Sequence, residues 1–355
     1  MDTIAQRCMK LWDTVSHTPA QVPTELQIPA DHVDEGKAGV FKKDEHYFEV
    51  RVNEMFLSDK RKWFVNYLPM VLVISEFYYG RSKEVVPFVV GPNLIEKDGV
   101  KVPTTGMLFR DLRVAGLHPY IGGQMTLSLI LYRLPRDNYL TKLLQVIEAA
   151  GGILDFATML GSYLKVASVV LDGLEALSSS FKVEPVVGLR WDFDPSNPGT
   201  IDSGYFALIN RPEGSLEKDK LSVQNGQLLY GGNPRPPSRP ADADYILYSV
   251  LPKPERNDFE ALPFQQVWDR VLADASIAKK DNWNSAKANM ASLYQTMIAS
   301  PDLTWKQKQE LPDWYIKRME ATHKKAVEIG MMSGSETPQG DMDKARLKSL
   351  SVLDL

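Results

Sequence analysis

The sequence predicts an α+β protein: an antiparallel β-sandwich with a helical insertion and a C-terminal helical region. Three observations lead there. From about residue 38 to 134, and again from 183 to 251, Val, Ile, Leu, Tyr and Phe fall in short runs broken by Gly, Pro, Asn and Asp, the pattern of strands and turns. Several runs alternate apolar with polar, as in Phe48-Glu49-Val50-Arg51-Val52. Alternation buries one face and wets the other, which suits antiparallel strands better than a parallel sheet. Between the two blocks, and again from Phe259 onward, apolar residues recur instead at three and four, the spacing of a helix face.

Taken in order, residues 1–37 read as an N-terminal helix and loop, with Cys8 on the short amphipathic stretch Ile4–Trp12. Residues 38–252 form the β-sandwich domain. Its strands are expected over His46–Met55, Phe64–Tyr79, Val85–Val90, Gly106–Ala115, Met125–Leu134, Val183–Phe193, Gly204–Asn210, Leu221–Tyr230 and Tyr245–Leu251. Asn225-Gly226 between Leu221-Ser222-Val223-Gln224 and Gln227-Leu228-Leu229-Tyr230 is a strong hairpin signal, because Asn and Gly accept the positive φ of a two-residue type I′ turn. The insertion spans 138–180, where Gly151-Gly152 separates a shorter helix from a longer one carrying Ile153, Phe156, Leu160, Leu164, Val170, Leu171 and Leu174. Gly231 to Pro240 holds Pro234, Pro236, Pro237 and Pro240 and is expected as an extended loop, with a polyproline II ligand motif as the sharper alternative.

Residues 253–331 are the C-terminal helical region. Val267, Val271, Leu272 and Ile277 mark one helix, and Met290, Leu293, Tyr294, Met297 and Ile298 mark the next. A third starts after Ser300-Pro301-Asp302, is expected to be interrupted at Leu311-Pro312, and stops at Gly330. The remainder, 332–355, is polar and reads as a flexible tail.

Composition narrows the function classes. The 355 residues carry 41 Lys and Arg against 45 Asp and Glu, a net charge of -4, so there is no global attraction to phosphate backbones and no nucleic-acid partner is expected. One cysteine rules out a disulfide framework or a multi-thiolate metal site within the chain, and points to a reducing cytoplasm. The first residues, Met1 to Arg7, lack a basic region followed by an apolar one and do not read as a secretory signal. Phosphate-loop, dinucleotide, zinc-protease and Ser-hydrolase motifs are missing, and no cofactor is expected.

A few constellations carry weaker chemistry. His118, in Gly116-Leu117-His118-Pro119-Tyr120-Ile121-Gly122-Gly123, is the best catalytic candidate if that stretch is a glycine-rich loop able to approach a ligand. The plain alternative is a turn between strands. Asp192, Asp194 and Asp202 place hard oxygens after a strand and could hold calcium, although the stretch fails the EF-hand template; an Asx- and Pro-rich turn explains it as well. A second acidic cluster, Asp31, Asp34, Glu35, Asp44, Glu45 and His46, is accounted for by solvated loops. Lys60-Arg61-Lys62 before Trp63-Phe64 pairs charge with rings, but one triplet on an acidic chain reads as a solvated turn.

The insertion is unusual because Asp155 is the one charged residue between Ala149 and Leu164. Residues 149–164 are too few to span a bilayer, which takes roughly 20 residues, and extending the stretch brings in Lys165 and Asp172. It either packs across the sandwich or is released to a membrane, with Ile153, Phe156, Leu160 and Leu164 as the inserting side chains. The leading expectation is a non-catalytic, cytoplasmic interaction or scaffold protein that binds a protein partner. Its contact residues would be Trp268, Trp283, Trp305, Trp314 and Met297, since aromatics and Met are enriched at interface centres. The bland alternative makes these residues the region's own core. A membrane-active protein using 153–177 is the second expectation, and a hydrolase or calcium-dependent enzyme the third.

Overall fold

The computed structural model describes residues 2–16, 23–34, 39–58, 61–62, 65–91, 107–136, 142–147, 149, 160–178, 183–193, 203–232 and 235–332. The chain divides into two compact units, Met1–Arg256 and Asn257–Leu355.

In the first unit the described strands are β1 (Thr24–Gln27), β2 (Tyr47–Phe56), β3 (Arg61–Lys62), β4 (Val65–Tyr79), β5 (Ser82–Val90), β6 (Met107–Pro119), β7 (Met125–Pro135), β8 (Glu184–Phe193), β9 (Gly204–Ile209), β10 (Leu221–Gln224), β11 (Gln227–Gly232), β12 (Arg235–Ser238) and β13 (Tyr245–Lys253). One antiparallel sheet has the order β1-β9-β13-β2-β6. A second has β4 paired with β5 on one side and β7 on the other, β8 beyond β7, and β3 on the start of β4. A small third sheet is β10-β11-β12. Helix α1 (Ile4–Ser16) belongs to this unit, as does α2 (Leu160–Ser178) in the insertion.

The core between the two large sheets follows from the period of two. Phe48, Val50 and Val52 of β2 meet Val71, Val73 and Phe77 of β4 and Leu127, Leu129 and Leu131 of β7. Ladder pairing skips Asn53, between Tyr248↔Val52 and Leu247↔Glu54, so a bulge reverses the parity of β2. Beyond it Met55 joins the inter-sheet core while Phe56 faces the small sheet with Leu221, Val223 and Leu228. Tyr248 also ties the layers together, accepting from Trp191 Nε1 at 3.1 Å and donating to the Glu25 carboxylate.

The other face of the second sheet explains why Leu68 to Ile74 is apolar without alternation. Met70, Leu72 and Ile74 pack under Val170, Leu171, Leu174 and Leu177 of α2, Leu144 and Ile147 of the helical residues 142–147, and Cys8 and Leu11 of α1. A strand buried on both faces reads as a continuous apolar run. The insertion therefore joins β7 to its ladder neighbour β8 and covers their sheet with a helical layer. Each buried Leu or Val of that layer contributes about 1.5–3 kcal/mol gross.

Two expectations in this unit are corrected. His118 is not on a loop: β6 runs through it to Pro119, pairing Phe48 with His118 and Tyr47 with Pro119. Gly116 lets it do so, with φ at 100° and the place of a Cβ only 2.3 Å from the Phe48 carbonyl oxygen. The stretch before Pro240 is not simply loop, since Arg235–Ser238 pairs with β11 as an edge strand, where proline is tolerated. At the hairpin, Asn225 and Gly226 have φ of 51° and 71°, as a type I′ turn requires.

The second unit holds α3 (Gln265–Ala275), α4 (Lys280–Ala299) and α5 (Trp305–Met332). Its core combines Phe264, Trp268, Val271, Trp283, Met290, Leu293, Met297, Leu311, Tyr315 and Met319. The expected interruption at Leu311-Pro312 and the stop at Gly330 do not occur; α5 is continuous through both. An interior proline costs about 3 kcal/mol. Burying Leu311, Tyr315 and Met319 on either side of it, at about 1.5–3 kcal/mol each, outweighs that cost. The tail from 333 onward lies outside the described residues.

Candidate interaction surface

The predicted contact residues divide sharply. Trp268, Trp283 and Met297 are 4%, 3% and 0% exposed, so they are core, whereas Trp305 and Trp314 are 58% and 48% exposed. Nor do the two exposed rings share a patch. Nine positions along α5, at about 100° per residue, put them roughly half a turn apart around the helix.

Of the two, Trp314 is held by its surroundings. Its ring lies 6.4 Å from Trp268 and 4.9 Å from Tyr315, edge-on at 90°. Trp268 and Tyr315 themselves meet at 4.6 Å, and Tyr315 meets Phe264 at 6.2 Å. Burial pushes the Tyr315 phenol up to about 12, so it stays neutral. On the outer side the Arg318 guanidinium lies 5.1 Å from the Trp314 ring centre. Arg318 is the residue that sequence reasoning missed. The signal was available, because positions four apart on a helix are neighbours.

His118 and His323 stack on rings, and Glu49 and Glu54 meet cations. His118 is 5% exposed and stacks on Phe77 at 4.5 Å and 20°, with Phe48 at 5.5 Å. In the second unit His323 stacks on Trp283 at 4.2 Å and its Nδ1 lies 3.2 Å from the Ala275 carbonyl oxygen. Glu49 takes Arg51 Nη2 at 2.8 Å and Arg113 Nε at 2.9 Å, with Lys253 Nζ at 3.5 Å. Burial works to raise its pKa, but the three cations outweigh burial and the carboxyl lies below its ordinary value. Glu54 shows the opposite balance: it accepts from the Leu228 amide at 2.9 Å and meets Arg239 at 2.9 Å, yet burial wins and its pKa is raised.

Asp192 lies on β8, exposed, accepting from Thr126 Oγ1 at 2.6 Å, while Asp194 and Asp202 lie outside the described residues. Among the described residues no group of three His, Cys, Asp or Glu could hold a metal ion. Of the insertion, Ile153 and Phe156 lie outside the described residues; Leu160 and Leu164 are on α2, with side chains that are likewise outside them. Among the described residues no helix is long and apolar enough to cross a membrane. Arg61 and Lys62 form β3, and Lys60 is outside the described set. Cys8 is buried, and burial raises its thiol pKa to about 12, far from a reactive thiolate.

The chain matches no family model, no curated protein and no solved structure. Its function has to be read from its own residues.

Proposed function

We propose that the protein works by binding a protein partner, with Trp314 of α5 as the anchor. The observation that carries this reading is the half-exposed Trp314 ring, fixed by Trp268 and Tyr315 and flanked by Arg318. Trp and Arg dominate the energetics of interface centres. A ring already held in one orientation loses little conformational freedom when a partner covers it. The reading is narrower than the sequence expectation, since Trp268, Trp283 and Met297 lie in the core of the unit and Trp268 meets the anchor ring from within. Cytoplasmic residence accompanies it, because a single buried thiol suits a reducing compartment.

The test is quantitative capture from cytoplasmic extract using full-length wild type, Trp314→Ala and Trp305→Ala as baits. A partner held by wild type and Trp305→Ala but reduced at least about tenfold with Trp314→Ala supports the anchor, as expected for loss of a 1.4 kcal/mol or larger contact. Equal recovery by all three baits would remove it.

Membrane action by 153–177 is a second reading. One observation favours it: Val169 of α2, within that segment, is 46% exposed. Dye release from anionic vesicles by the intact protein is its expected outcome, and silence in that assay counts against it.

A further inference from the structure

We propose that His118 is an acid-sensitive latch, whose protonation frees the segment around 116–125 from the end of the sandwich and uncovers the aromatic cleft beside it. The geometry is that of a neutral imidazole with no room for a charge. The ring is stacked on Phe77, faces Phe48 and meets the edge of Tyr79 at 6.0 Å, and its Nδ1 is buried with no hydrogen-bond partner among the described residues. Next to this cage, Phe48, Phe77, Tyr78, Tyr120, Met125 and Phe193 line a narrow cleft closed by the turn through Gly122 and Gly123.

Among the described residues, Arg256 and Arg113 act on His118 and both oppose its protonation. Burial is the largest influence, followed by Arg256 and Arg113, and together they bring the imidazole down to about 3. The carboxylates next in sequence to the rings that face His118 fall on the opposite faces of their strands. Glu49 of β2 alternates with Phe48 onto the opposite face and is engaged by Arg51, Arg113 and Lys253. Glu76 of β4 alternates with Phe77 and is engaged by Arg190 at 2.6 Å and Lys83 at 3.0 Å. Aromatic faces attract a cation by about 2 kcal/mol when desolvated. Stripping water from an ion costs several kcal/mol, so the rings do not rescue the charged form.

The sign follows from linkage. The folded value lies below the value of about 6.5 that the ring has once it reaches water. Closure is therefore at full strength above pH 6.5 and weakens as pH falls from there toward 3, with opening favoured about tenfold per pH unit. The cleft it uncovers is an apolar surface that exists at acid pH and is covered at neutral pH.

The experiment is amide hydrogen exchange by mass spectrometry on the full chain from pH 8 to pH 5, corrected for intrinsic exchange rates, with wild type and His118→Phe. The phenyl ring keeps the stack and cannot titrate. In wild type the opening constant for peptides covering 46–50 and 116–125 is expected to be about 30-fold larger at pH 5 than at pH 8. In His118→Phe it is expected to be flat. The same rise in the variant, or none in wild type, would overturn the proposal. Should His118→Phe fail to fold, NMR of the wild-type imidazole decides: no titration in the folded species down to pH 5, beside growing exchange, supports the latch. Titration near 6.5 in the folded species would overturn it.

Discussion

In Met1–Arg256 the carboxylates Glu49, Glu54, Glu76 and Asp244 are buried, and each is met by an arginine: Arg51 and Arg113, Arg239, Arg190, and Arg133. In Asn257–Leu355 the interior is instead a set of rings and methionines, Phe264, Trp268, Trp283, Tyr315, Met290, Met297 and Met319, and one ring of that set's neighbourhood, Trp314, is left half in water. The two solutions have different consequences. A buried ion pair is expensive to break from one side, because the partner is left as an uncompensated charge. Removing one member of such a pair in the first unit is therefore costly. A ring pair loses little when one member is covered from outside, so the second unit can present an anchor without unfolding.

The contrast can be broken at several points. The largest effect is expected at Gly116→Ala, where the new Cβ meets the Phe48 carbonyl oxygen at a φ that side chains resist. A loss of about 4 kcal/mol or more in chemical denaturation is expected. Glu49→Gln comes next, at about 3 kcal/mol near pH 7, since Arg51, Arg113 and Lys253 lose their shared counter-ion. The folded pKa of Glu49 is depressed, so its contribution is complete above the unfolded value of about 4.3 and is lost as pH falls through the folded one. Denaturation curves of wild type and Glu49→Gln should therefore converge in acid. In the helical unit the sign reverses: Pro312→Ala restores a helix hydrogen bond and is expected to stabilise by about 1–2 kcal/mol, read as a raised Tm. The smallest stability change is at Trp314→Ala, about 1 kcal/mol, although it should cost the most in partner capture.

Much of the fold was legible. The positions of the strands and the Asn225-Gly226 turn state themselves in a few residues, and the period of two marks the apolar face of β2, but the polar face expected in water is buried as well, with Glu49 and Glu54 on it. What misled was local chemistry overruled by packing. Glycines and proline around His118 suggested a loop, but Gly116 serves a close approach between paired strands. Pro312 suggested a break, but the burial on both sides of it holds α5 straight through. Arg51 lies two residues from Glu49 on the same strand, but Arg113 and Arg239 are distant in sequence and only the fold brings them to Glu49 and Glu54. The candidate surface was half legible. Composition pointed to the tryptophans of the second unit, while telling Trp314 from Trp268 and Trp283 required burial, which a weakly amphipathic helix such as α4 does not encode clearly.

The most direct test of the account is oxidative footprinting of the full chain, alone and with a captured partner, read at Trp314 and Trp305 in the same sample. Partner binding is expected to protect Trp314 strongly and to leave Trp305, on the other side of α5, as reactive as before. Unchanged reactivity at Trp314 in a saturated complex would contradict it.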